Sequence, residues 1–196
     1  MLKRLLTAFA LVIVGMAPAF AHLDPLEHGS FAAGFSHPLF GLDHILAMIA
    51  VGLWAASVGG KALWAVPTAF VATMAVGFGA ALLGMPLPFV EPVILASVIF
   101  IGVMVALALP LPTVGVAAVV AFFALFHGHA HGGEMGEAGA LGYAAGFLAA
   151  TALLHAVGVA AGVGVGRVLA TARGAIATRI AGGLTALGGL WLAISG

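Results

Sequence analysis

No cysteine occurs in the 196 residues. That rules out disulfides and thiolate ligands, and it leaves histidine, carboxylates, methionine and backbone groups for any metal chemistry. Charge is nearly as scarce. Only 6% of the residues are Asp, Glu, Lys or Arg, against about 25% in a soluble domain, so water cannot be the main solvent of the fold. Six basic and six acidic residues cancel, and with no basic cluster the chain argues against a nucleic-acid partner. There is no G-x-x-x-x-G-K-[ST] loop, so coupling to ATP needs a partner chain. The dyad alternation of an outer-membrane barrel strand is also missing.

Apolar residues fill the space that charge leaves. They make up 64% of the chain, and mean hydropathy is +1.28. Their runs are long enough to cross a hydrocarbon core, which takes about 20 helical residues. The expected class is all-α, a polytopic membrane protein with six transmembrane helices after a cleavable signal peptide. Residues 1–21, MLKRLLTAFALVIVGMAPAFA, supply the signal. Lys3 and Arg4 form a positive n-region, Leu5 to Gly15 an apolar one, and Ala19-Phe20-Ala21 a small-residue cleavage site. An uncleaved anchor helix is the alternative. Residues 22–196 are then one six-helix transmembrane domain, beginning at His22.

Hydrophobic windows and Gly/Pro punctuation place the spans near 38–58, 62–83, 91–109, 113–131, 138–166 and 175–195. With the new N-terminus outside, Lys61, Arg167, Arg173 and Arg179 fall on or beside the cytoplasmic face, as the positive-inside rule requires. The expected location is the bacterial cytoplasmic (inner) membrane, with both mature termini periplasmic. Histidines and carboxylates gather on the opposite face, except His155, roughly 22 Å into the fifth span at 1.5 Å per residue. Glycines four apart, at Gly142 and Gly146 and again at Gly158, Gly162 and Gly166, suit close helix packing. Nothing here argues for or against a homo-oligomer.

Two segments carry chemistry. In His37-Pro38-Leu39-Phe40-Gly41-Leu42-Asp43-His44, Pro38 suits the first turn of a helix, which sets Asp43 and His44 inside the membrane. A buried carboxylate is costly unless paired, so such a residue is a functional candidate; simple structural hydrogen bonding is the bland alternative. A straight helix puts His37 about 10 Å from His44 along the axis, too far to share an ion, unless the chain bends back at the proline. In Phe126-His127-Gly128-His129-Ala130-His131-Gly132-Gly133-Glu134, His127 and His131 share a helical face at a spacing that suits one divalent ion. Gly128, Gly132 and Gly133 allow the backbone to leave the helix and bring in His129 and Glu134. His22, as a new terminus, offers its amine and imidazole as a chelate. This imidazole-rich set suits Ni²⁺, Co²⁺, Cu²⁺ or Zn²⁺.

At the blocks HPLFGLDHILAMIAVGLWAA (37–56) and FHGHAHGGE (126–134), the chain resembles the HupE/UreJ family of nickel transporters. The resemblance implies secondary uptake of Ni²⁺, in some members Co²⁺, to supply maturation of hydrogenase, urease or corrin-dependent enzymes. It also implies metal-handling roles for His37, Asp43, His44, His127, His131 and Glu134. The expected protein is a permease and not an enzyme. Its cargo is a divalent transition-metal ion, and it has no permanently bound cofactor. An intramembrane metalloenzyme is the rival reading. Its ligands should gather at one depth, whereas these spread from the loop past the membrane centre.

Overall fold

The structure is a computed structural model that describes residues 25–134, 139–169 and 171–195. The expected signal sequence and His22 lie outside the described residues. Seven helices account for almost all of the described residues: α1 Pro25–Phe40, α2 Leu42–Val58, α3 Ala62–Leu82, α4 Val90–Leu107, α5 Thr113–Glu134, α6 Ala140–Val168 and α7 Thr171–Ser195. No strand occurs among the described residues. The chain is an all-helical, multi-pass membrane protein. Helices α3 to α7 are each long and apolar enough to cross a bilayer. Residues 30–40 of α1 and α2 meet the same test only as a pair, bent by 79°, the geometry of a broken span or a re-entrant loop.

That bend corrects the straight span expected over 38–58. Pro38 stands inside α1, near its C-terminal end, and not in the first turn of a spanning helix. The break falls at Gly41, whose extended backbone (φ −79°, ψ 116°) caps α2. A Cβ at Gly41 would stand 2.8 Å from His44 Nδ1 and 3.0 Å from Asp43 Oδ1. The absent side chain is therefore the space into which Asp43 and His44 fold back.

Burying one helix against another in lipid gains little from the hydrophobic effect, so close approach and van der Waals contact must hold the bundle. Small residues provide that approach at four seams. Gly34 and Gly146 join α1 to α6, Gly52 and Gly158 join α2 to α6, Gly77 and Gly128 join α3 to α5, and Gly102 and Gly182 join α4 to α7. At each seam a Cβ would strike the backbone of the opposite helix. Large apolar side chains such as Trp64, Leu141, Val168 and Ile194 face outward, where acyl chains accept them. The buried interior brings together one face each of α2, α3, α4, α5 and α6, and the polar side chains of interest lie there.

Candidate metal-handling site

The fold-back at Gly41 closes the separation expected for His37. Its ring centroid lies 5.9 Å from that of His44 and 4.8 Å from that of His131, where a straight helix would have kept it about 10 Å from His44 along the axis. Helix α5 presents His127 and His131 on its buried face, as the i, i+4 spacing requires, and neither is exposed. Four imidazoles from three helices thus meet toward one end of the bundle, with Asp43 beside them. Their centroids are 4.6 Å apart for His44 and His131 and 5.4 Å for His44 and His127.

Hydrogen bonds assign the protons. His44 Nδ1 is 2.9 Å from Asp43 Oδ1. An ionised carboxylate only accepts, so Nδ1 carries the hydrogen and the lone pair of neutral His44 is on Nε2. That nitrogen lies 2.7 Å from His131 Nε2, which must therefore donate. Asp43, His44 and His131 form a directed chain, the carboxylate orienting an imidazole whose far nitrogen is left basic. Carboxylates hold metal-ligating histidines in this way. An ion bound to both Nε2 atoms at about 2.1 Å each needs them roughly 3 Å apart at a right angle. Its entry would replace the proton between them, and His131 would take its other tautomer. Among the described residues no three His, Asp or Glu side chains are posed to hold one ion together. Pairs are the unit here.

Ser97 is a member of the site that sequence reading missed. It is fully buried on α4, with Oγ 2.6 Å from the Ile94 carbonyl and 3.0 Å from His127 Nε2. A carbonyl has no hydrogen to give, so the single Ser97 proton points to Ile94. His127 Nε2 must then be the donor to Ser97, which leaves the lone pair on Nδ1. No protein group pairs with that buried nitrogen. A lone serine in an apolar run carries no spacing or motif that could have announced this role.

Other expected residues are not brought to the cluster. Helix α5 runs unbroken through Glu134. Gly128 and Gly132 serve contact with α3 and do not free the backbone. With the helix intact, His129 points elsewhere, and its Nε2 donates to the Met85 carbonyl at 2.7 Å. It ties the α3–α4 connection to α5. The Glu134 side chain lies outside the described residues. His155 is fully buried on α6, beyond the cluster.

A family model described as HupE / UreJ protein matches residues 9–192. Protein HupE of Rhizobium leguminosarum bv. viciae is 46% identical over 181 residues, covering 90% of each chain. No solved structure matches.

Proposed function

The chain belongs to the HupE/UreJ family, a family of transporters and not of enzymes, and from that premise we propose that it is a permease for Ni²⁺. In this reading it imports the ion across the bacterial cytoplasmic membrane to supply metalloenzyme maturation. The observation that carries the reading is the Asp43–His44–His131 chain. It keeps a basic imidazole nitrogen oriented and buried at the outer end of a membrane bundle. His37 lies beside it, and His127 one turn farther along α5 from its C-terminal end. The ion exchanges water for imidazole pair by pair, and Asp43 offsets part of its charge. Binding has to be strong enough for entry and weak enough for release, which two-ligand stations satisfy.

The orientation rests on charge. Lys61, Arg167, Arg173 and Arg179 lie toward one membrane face and the histidine cluster toward the other, so the positive-inside rule puts the cluster, and both termini of the mature chain, outside. Co²⁺ is the alternative cargo, since the same ligands accept it. Proteoliposomes loaded with a metal-sensitive dye test the reading. Ni²⁺ entry should exceed that into empty vesicles, and His44→Ala and Asp43→Asn should abolish it. Flux no greater than the protein-free control would falsify permeation. Faster entry of Co²⁺ than Ni²⁺ at equal concentration would replace the cargo and leave the mechanism standing.

A further inference from the structure

Below the outer cluster the interior holds polar atoms that the capture step does not use. Thr151 and His155 are one turn apart on the buried face of α6, and neither is exposed. Both ring nitrogens of His155 and the hydroxyl of Thr151 lack a hydrogen-bond partner within the protein. The other buried serine and threonine side chains differ. Ser97 donates to the Ile94 carbonyl and Thr185 to the Ala181 carbonyl. A helical threonine has the carbonyl one turn back within reach, so the Thr151 hydroxyl forgoes a bond that its own helix offers. Buried polar groups without partners are rare, and each calls for an explanation. Here three such atoms stand one turn apart, in a region where lipid supplies no water.

Their depth gives the explanation a direction. Gly52 of α2 packs on the His155 carbonyl and follows His44 by eight positions, roughly 12 Å farther down the helix at 1.5 Å per residue. Phe70 of α3 is fully buried, with its ring centroid 5.6 Å from that of His127 and 4.9 Å from that of His155. One aromatic side chain therefore touches the deepest imidazole of the outer cluster and the inner one alike. Farther in, an open cavity of about 550 Å³ lies between the end of α2, at Ser57 and Val58, and the α4–α5 connection, at Leu109 and Leu111.

We propose that Thr151 and His155 form a second, inner binding station for the divalent transition-metal ion, between the outer histidine cluster and the inner cavity. The inference rests on the permease reading. His155 supplies an imidazole lone pair, and with neither nitrogen committed to a protein partner it can present either one. The Thr151 hydroxyl bonds water that stays with the ion. One imidazole and one hydroxyl make a weak site, and a weak second site lets an ion leave a stronger first one.

Full-length protein in proteoliposomes decides the matter through Thr151→Val and His155→Leu. Thr151→Val keeps the shape and removes only an unpaired hydroxyl, so its thermal unfolding midpoint should stay level or rise. Ni²⁺ binding to the outer cluster, measured by calorimetry on the purified protein, should stay within about twofold of the parent. Initial Ni²⁺ flux should fall about tenfold or more in both variants. A structural role predicts the reverse pattern: a lowered midpoint, and flux reduced only in proportion to the folded protein. That pattern, or parental flux in Thr151→Val, overturns the inner station. If His155→Leu fails to insert, Thr151→Val carries the test alone. Parental flux in the variants removes the station and leaves the permease reading intact, whereas no flux in the unmodified protein removes both.

Discussion

At the scale of single residues, the site depends on where hydrogens sit as much as on which side chains are present. His127 can offer Nδ1 to an ion because Ser97 takes the hydrogen on Nε2, and Ser97 can do so because its own hydrogen goes to Ile94. Without that acceptor the His127 proton is free to move to Nδ1 and mask the lone pair. Partners of this outer kind are worth about 10- to 100-fold in metal affinity. Ser97→Ala should therefore weaken Ni²⁺ binding by about tenfold, read by calorimetry, and Ser97→Thr should restore most of it. Equal affinity in Ser97→Ala and the parent would show that the proton is held by something else. The candidate residues themselves were legible one by one, because an imidazole or carboxylate in a lipid-facing sequence is conspicuous. Ser97 was not, since serine costs little in a membrane helix and has no characteristic spacing.

Helices were legible in proportion to their length and apolarity. The expected spans at 62–83 and 91–109 end within a few residues of α3 and α4. The first span was misread because hydropathy does not register a bend: the run through Gly41 stays apolar on both sides while the backbone turns by 79°. His37 reaches His44 and His131 only through that turn. Partner choice between helices was also hidden, since His44 and His131 meet across 87 positions and no local pattern links α2 to α5. Two glycines test this level. Gly41→Ala places a methyl 2.8 Å from His44 Nδ1, so the ring must move off Asp43. Uptake should fall severalfold while the unfolding temperature changes little. Gly128→Ala instead drives a methyl into the Met74 carbonyl. A backbone cannot yield as a side-chain tip does, and overpacking of this kind costs about 1–3 kcal/mol. Thermal melting of the detergent-solubilised protein should show that loss. A melt indistinguishable from the parent would mean that α3 and α5 are not held at this seam.

On the proposed reading the molecule as a whole moves charge across a low-dielectric layer, and that sets what drives it. A divalent ion entering a cell with an inside-negative potential of 100 mV gains about 4.6 kcal/mol, twice the single-charge value, enough for accumulation of about three orders of magnitude. If the passage carries the bare +2 charge and Asp43 stays in place, uptake is electrogenic. A potassium diffusion potential set with valinomycin, inside negative, should then speed initial Ni²⁺ entry, and reversing its sign should slow it. Protons act separately, at the ligands. A protonated imidazole has no lone pair for a metal, so capture is present where the outer histidines are neutral and is lost as they protonate. Acid strong enough to protonate them should therefore stop uptake, with the potential clamped so that the two effects do not mix. Entry that ignores the potential but responds to a proton gradient would mean that two protons leave for each ion that enters. The chain would then be an exchanger whose histidines return protons outward, and the Asp43–His44–His131 chain, already a line of shared hydrogens, would be the first place to look for their path.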